Sequence, residues 1–185
     1  MSALLLTHGA GSNRNAPLLV AIANALTDTG IEVVRYDLPF RQKRPGGPPR
    51  PADAAGDRAG LREQVLALKE RTGGPVILGG VSYGGRQASM LASEEPDLVD
   101  GLVLLSYPLH PPGKPDRLRT AHLPNLRTPV LFVHGTRDPF GSIEEIEAAI
   151  RLLPSRTRLV PIQGAGHELK GAAKNVAAAF QEFFA

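Results

Sequence analysis

Pro75-Val76-Ile77-Leu78-Gly79-Gly80-Val81-Ser82-Tyr83-Gly84-Gly85-Arg86 is the stretch on which the reading of this chain turns. Pro75–Gly79 is an apolar strand, and Gly85–Ala92 continues as a helix. Between them Gly80-Val81-Ser82-Tyr83-Gly84 forms a G-x-S-x-G pentapeptide on a sharp strand-to-helix turn. A serine there is held in a strained backbone conformation with its hydroxyl raised above the sheet. The glycines two before and two after supply room that a Cβ would fill. The hydroxyl also sits at a helix N-terminus, whose free N–H groups favour developing negative charge. A pentapeptide can arise by chance in a glycine-rich chain, so its weight comes from the strand before it and the helix after it. Ser82 is thus a candidate nucleophile.

The rest of the chain repeats that strand-then-helix rhythm. Apolar runs occur at Ala3–Leu6, Ile31–Val34, Pro75–Leu78, Leu102–Leu105, Val130–Val133 and Leu159–Ile162. Helix-period stripes lie between or beyond them. They are Leu19, Ile22, Ala23 and Leu26; Leu61, Val65 and Leu68; Ile143, Ile146, Ile150 and Leu153; and Ala173, Val176, Ala177, Phe180 and Phe184. Strands that are apolar throughout are buried on both faces, which requires a parallel sheet between two helical layers. The expectation is an α/β protein: a three-layer α/β/α sandwich on a six-stranded, mostly parallel sheet, forming a single domain over residues 1–185.

Composition narrows the chemistry. The chain has 185 residues, 42% of them hydrophobic, enough to bury a sizeable core. It has no cysteine, which excludes disulfides, thiolate nucleophiles and cysteine-held metals. No signal peptide or membrane-spanning run is apparent, so a soluble, cytoplasmic monomer or small homo-oligomer without a membrane partner is expected. The net charge of +3 is modest. Much of it lies in Pro39–Pro51, a basic Pro/Gly-rich connection expected to be a solvated loop whose four cations could alternatively meet an acidic partner or steer an anionic substrate. Nucleic acid is not expected there, because Phe40 is the only aromatic and no recognition motif accompanies it.

In open parallel sheets chemistry gathers at the carboxyl ends of the strands. The first strand runs into Thr7-His8-Gly9-Ala10-Gly11, the fifth into His134-Gly135-Thr136-Arg137-Asp138-Pro139, and the sixth into Gly164-Ala165-Gly166-His167. Ser82, Asp138 and His167 therefore follow one another in Ser…Asp…His order, each just past a strand. His167 would take the Ser82 proton, and Asp138 would orient the imidazole and stabilise the imidazolium. A histidine in a glycine-rich loop can be an ordinary surface residue, and Asp-Pro often only starts a turn. Asp116 and Asp37 are rival acids. Oxyanion donors would be the N–H of Tyr83 and one from the first loop, Ala10 or else Gly11. The alternative reading of Gly9-x-Gly11 as a dinucleotide fingerprint fails, because Arg14 occupies the third glycine position. No metal or cofactor is called for.

With these segments in view, the chain resembles the small, cap-less KANL/Tex-like α/β-hydrolases, relatives of the dienelactone-hydrolase-like proteins. The resemblance rests on Thr7–Gly11, the elbow through Arg86, Gly101–Pro111 with its Ser106-Tyr107-Pro108-Leu109-His110 segment, Pro129–Gly135 and Ala165–His167. It implies the α/β-hydrolase fold with Ser82, Asp138 and His167 at the triad positions. It implies little about substrate, since some members of that family serve as subunits of chromatin complexes. Dienelactone hydrolases proper carry a cysteine where this chain has serine. The expected activity is therefore hydrolysis of an ester or related acyl bond of a small, short-acyl substrate, and the alternative is a non-catalytic interaction module on a hydrolase scaffold. The proline-rich connection from Ser106 to Thr128 is too short for a deep lid. It is expected to form a rim, with His8, Tyr107, Leu109 and His110 at the pocket edge.

Overall fold

The computed structural model describes residues 2–184; Met1 and Ala185, the ends of the expected 1–185 span, lie outside the described residues. Six strands appear where the apolar runs predict them: β1 (Ala3–Thr7), β2 (Glu32–Tyr36), β3 (Val76–Val81), β4 (Gly101–Leu105), β5 (Val130–Gly135) and β6 (Thr157–Ile162). They form one sheet in the order β2-β1-β3-β4-β5-β6, and every neighbouring pair is parallel. Six α-helices accompany them: α1 (Pro17–Thr27), α2 (Pro39–Lys43), α3 (Ala54–Thr72), α4 (Tyr83–Glu94), α5 (Ile143–Ile150) and α6 (Ala173–Phe184).

The period-2 alternation of strands divides the core into two layers. Leu5, Leu78, Leu102, Leu104 and Phe132 face α3, α4 and α5, meeting Leu61, Val65, Leu91 and Ile146. Leu4, Leu6, Ile77, Val103 and Leu131 face the other way, onto Leu19, Ile22 and Leu26 of α1 and Val176 and Phe180 of α6. Each fully buried leucine on either face contributes about 1.5–3 kcal/mol relative to exposure. This is why the central strands read as continuous apolar runs. The outer strands β2 and β6 are only partly buried, and β6 carries exposed Arg158 and Pro161 along its edge, which discourages pairing with another chain. Among the described residues no helix is long and apolar enough to cross a membrane.

Two readings change. The stripe Ile143–Leu153 outruns its helix: α5 ends at Ile150, and Leu153 follows in a turn that donates to the Ile150 carbonyl. The basic connection is not simply a solvated loop. Pro39 at the first helical position starts α2, which buries Phe40 and Arg41, and a 3₁₀ turn (Pro51–Asp53) closes the segment. Arg44 pairs with Asp53 at 2.6 Å, so two of the four cations are engaged within the chain.

The order of strand addition reverses between β1 and β3. The chain goes from β1 outward to β2, then crosses back to place β3 on the other side of β1. Loops leaving β1 and β3 therefore diverge at their carboxyl ends, opening the crevice where such sheets bind ligands. Thr7 and Gly80 are in register there.

Candidate active site

Ser82 follows β3 directly and caps α4 with φ 49° and ψ −115°, a left-handed φ that a side chain adopts only when its surroundings enforce it. The surroundings are visible. A Cβ on Gly80 would come within 2.5 Å of the Gly84 carbonyl carbon, and one on Gly84 would strike the His8 carbonyl oxygen and lie 2.7 Å from Thr7 Cγ2. The elbow can thus be tight only with glycine at both places, and it presses α4 against the loop after β1. The Ser82 N–H donates to the Leu105 carbonyl at 2.8 Å, fixing the turn to β4.

Three strand-end loops meet at this serine. His167 Nε2 lies 2.9 Å from Ser82 Oγ, and His167 Nδ1 lies 2.8 Å from Asp138 Oδ2. The Asp138 side chain is fully buried. Its Oδ1 accepts from the Phe140 N–H at 2.9 Å, and His134 Nε2 lies 3.6 Å from Oδ2. The Phe140 ring stacks on the His167 imidazole, centroids 4.1 Å apart and planes 25° apart. Burial pushes the His134 pKa down, against the upward pull of its bond to the Gly141 carbonyl and of Asp138. Asp37, the rival acid, lies elsewhere, accepting from the Arg14 N–H and 3.6 Å from His8 Nε2.

The loop carrying Ala10 and Gly11 is placed against the elbow. A Cβ on Gly9 would sit 3.5 Å from Ser82 Cβ. Arg41 reaches across from α2 and holds this loop by its carbonyls, donating from Nη2 to Ala10 at 2.9 Å and from Nε to Ser12 at 2.7 Å. The same guanidinium donates to the carbonyls of Arg44 and Gly47. Tyr83, the first residue of α4, has one of the N–H groups that a helix leaves without an intrahelical acceptor. Its hydroxyl donates to buried Asp57 at 2.7 Å, while the other Asp57 oxygen accepts from the Phe40 N–H at 2.9 Å. Burial first, and then that bond to Asp57, pushes the Tyr83 pKa up.

A cleft of about 1230 Å³ opens beside these groups, above the usual range for small-ligand sites of about 300–1,000 Å³. Its edge differs from the expected one. Tyr107, Leu109 and His110 are buried, because the connection after β4 folds back on itself and Arg119 N–H donates to the Leu109 carbonyl at 2.8 Å. Tyr107 turns inward against Phe132, its hydroxyl donates to the Arg119 carbonyl at 2.6 Å, and burial pushes its pKa up to about 12. His110 Nε2 meets Glu145 at 3.2 Å, and Leu109 lines a separate small cavity. Pro108 and Arg119 stand at the cleft instead. His8 does line it, but as a fully buried wall residue rather than an edge: its Nε2 accepts from the Leu38 N–H at 3.1 Å, and burial lowers its pKa. The connection adds only one 3₁₀ turn, Leu123–Asn125. The larger wall comes from Ala16 and α1, through Leu18 and Ala25, and from residues 168–174. Nothing in the sequence marks that wall, since those residues carry no motif and belong to an ordinary amphipathic helix and to the turns leading into α6. Phe140, Arg41 and Asp57 likewise lack any local signal. Among the described residues, no group of three or more His, Asp or Glu side chains is placed to hold a metal ion.

Comparison with known proteins follows the same lines. The chain is similar to a dienelactone hydrolase from Anabaena variabilis, with 27% identity over all of this chain and 85% of that one and a TM-score of 0.78. It shares the fold of an alpha-beta serine hydrolase homologue from Coxiella burnetii, with 19% identity, the same coverage and a TM-score of 0.79. A 48-residue segment, 26% of this chain, is 50% identical to part of the polyketide synthase ThaQ of Burkholderia thailandensis, and the chain spans only 2% of that protein's length. The model of the alpha/beta hydrolase domain family matches residues 1–182. This chain, a six-stranded parallel sheet with a serine elbow, belongs to the alpha/beta hydrolase family.

Proposed function

We propose that the chain is a serine hydrolase that cleaves an ester or related acyl bond of a small molecule through an acyl-enzyme on Ser82. The observation carrying this reading is the continuous relay Ser82 Oγ–His167 Nε2–His167 Nδ1–Asp138 Oδ2, at 2.9 and 2.8 Å. With Nδ1–H donating to buried Asp138, Nε2 is left as an acceptor. It takes the Ser82 proton as Oγ attacks the carbonyl carbon, and the imidazolium so formed is stabilised by the carboxylate. The oxyanion of the tetrahedral intermediate takes hydrogen bonds from the Tyr83 N–H and from Ala10 or Gly11. His167 then protonates the departing alcohol. Water, deprotonated by the same nitrogen, attacks the acyl carbonyl and frees Ser82.

Short acyl groups are the preferred substrates in this reading. The cleft is rimmed by exposed Gly11, Ala21, Lys170 and Lys174, so a long chain lying in it stays partly in water and gains less than the ~0.8 kcal/mol available per buried methylene. Butyrate esters are expected to exceed palmitate esters in kcat/KM; a steady rise with chain length would place the acyl group deep along α1. The deciding experiment for the class is labelling with a fluorophosphonate probe. Labelling that disappears in Ser82→Ala supports the hydrolase. Intact protein that does not label would instead favour an interaction module on a hydrolase scaffold.

A further inference from the structure

The cleft beside Ser82 carries two guanidinium groups with no carboxylate to match them. Arg86 lies one turn along α4, its backbone N–H donating to the Ser82 carbonyl at 2.9 Å. Its side chain lines the cleft, and its Nε is buried without any hydrogen-bond partner. Arg119 lines the same cleft from the connection after β4. Its main chain is fixed by the bonds to Leu109 and Tyr107, and one guanidinium nitrogen donates to the Pro108 carbonyl at 3.1 Å. Among the described residues no carboxylate oxygen lies within 4.0 Å of either guanidinium.

The exposed arginines Arg117, Arg127, Arg137 and Arg151 are left to solvent, but other arginines of the chain are matched within it. Arg44, Arg58, Arg62, Arg71 and Arg158 each pair with an Asp or Glu, and Arg41 is saturated by four carbonyls. Half-burying two cations near each other without a counter-ion costs stability through both desolvation and repulsion. The neighbourhood registers that excess positive charge. Burial and then Arg86 lower the pKa of Arg119, and the same two causes push His122 down to about 4. Two guanidinium groups without carboxylates, one of them fixed by a carbonyl, line one open cavity together with Ser82, which is a geometry suited to an anion.

We propose that Arg86 and Arg119 form an anion subsite of the cleft, and that the substrate is an ester carrying a carboxylate on its acyl or its alcohol side. Planar guanidinium forks match a carboxylate with paired hydrogen bonds. The aliphatic remainder lies on the apolar wall of α1, beside Leu18 and Ala25, and exposed Lys170 and Lys174 at the rim draw anions toward the opening. The substrate role of this subsite rests on the reading of Ser82 as nucleophile; binding of the anion does not.

The test is therefore a binding measurement on amides, which mimic the ester without ready cleavage. Wild-type protein is titrated calorimetrically with adipic acid monoamide against hexanamide, and with 4-acetamidobenzoate against acetanilide. The first pair carries the charge on the acyl side and the second on the leaving-group side. At least one carboxylate ligand binds about tenfold or more tightly than its neutral counterpart, as charge-assisted hydrogen bonds require. That advantage shrinks when salt is raised from low to high concentration. It vanishes in the double variant Arg86→Gln/Arg119→Gln and survives in part in Arg86→Lys and Arg119→Lys. Equal affinity for charged and neutral ligands in the wild type overturns the proposal, as does a preference that persists in the folded double variant. If the double variant does not fold, the lysine variants and the salt series decide. Fluorophosphonate labelling is scored separately, so that anion binding without labelling counts against the hydrolase reading alone.

Discussion

Ser82 and Ser106 follow neighbouring strands in register, Val81 opposite Leu105, and both have a φ of 49°. Each N–H donates to the next strand, Ser82 to Leu105 and Ser106 to Val133. The same backbone device at two adjacent strand ends has opposite outcomes. Ser82 Oγ opens into the cleft and meets His167, whereas Ser106 is fully buried and its hydroxyl finds no partner. What separates them is the next few residues. Tyr83-Gly84-Gly85 enters a helix at once and lets the β1 loop come close, while Tyr107 folds inward against Phe132 and the connection after it folds back on itself. A strained serine at a strand end is thus not by itself a nucleophile; in the proposed reading, access and an oriented base make the difference.

The comparison breaks most sharply at the relay. Ser82→Ala and His167→Ala are expected to lower kcat on p-nitrophenyl butyrate on the order of 10⁶-fold, as removal of one member of a unit-acting triad does. Asp138→Asn should cost about 10⁴-fold by favouring the wrong imidazole tautomer. Ser106→Ala, beside them in register, should leave turnover unchanged. Collapse of activity in Ser106→Ala with survival in Ser82→Ala would reverse the roles of the two serines.

Ser82 also has a support that Ser106 lacks. Arg41 holds the Ala10 and Ser12 carbonyls and so sets the loop that faces the elbow. In the proposed mechanism it is a positioning residue. Arg41→Met should reduce kcat by about 10–100-fold, less than outright loss of an oxyanion donor, with a smaller change in KM. Arg41→Lys should rescue little, because a lysine cannot reproduce the fork that spans several carbonyls. A variant that loses stability but keeps kcat would reduce Arg41 to a purely structural role.

Much of this contrast was legible in the sequence, though unevenly. The strands announced themselves as apolar runs, because a parallel sheet covered on both faces needs no polar alternation. The meeting of Ser82, Asp138 and His167 at neighbouring strand ends was legible because glycines and chain order mark strand-end loops in a parallel sheet. Tyr107, Leu109 and His110 were misjudged for a physical reason. Whether a strand-end side chain turns in or out depends on the fold-back of Arg119 onto Leu109, a contact between segments that no local pattern encodes. Arg41 and Asp57 were hidden for the same reason. A cation in a basic run and an acid on a mixed helix look solvated until tertiary packing buries them and supplies backbone partners.

Acid offers a gentler way to probe the packing around the strand ends. His8, His122 and His134 all have folded pKa values below the ordinary 6.5, burial being the first cause in each. The unfolded chain therefore binds more protons between pH 6.5 and the folded values, and stability falls as pH drops through that window. His122, at about 4 in the fold, should account for about 1–2 kcal/mol between pH 7.5 and 5 after a discount for solvent screening. His110 opposes this, since its bonds to Pro111 and Glu145 raise its pKa and favour the fold below 6.5. Urea unfolding at the two pH values measures the balance. Stability that stays flat or rises on acidification even in His110→Gln would mean these histidines are not buried neutral.

The smallest expected effect is at Ser106 itself, and its sign follows from weighing three contributions. Ser106→Gly removes a side chain from a left-handed φ, relieving about 1–2 kcal/mol, and removes a buried hydroxyl without a partner, relieving about 1 kcal/mol. Against these stand the extra freedom of glycine in the unfolded chain, about 0.5–1 kcal/mol, and the lost contacts of one small side chain. The net is a gain of about 1 kcal/mol, or a rise in Tm of about 2–4 °C for a chain of this size. The same change at Ser82 should also relieve backbone strain, yet abolish labelling, because in the proposed mechanism strain there is coupled to a hydroxyl that His167 uses. A fall in Tm for Ser106→Gly would show that its hydroxyl is satisfied in the fold, and the two serines would then differ in access alone.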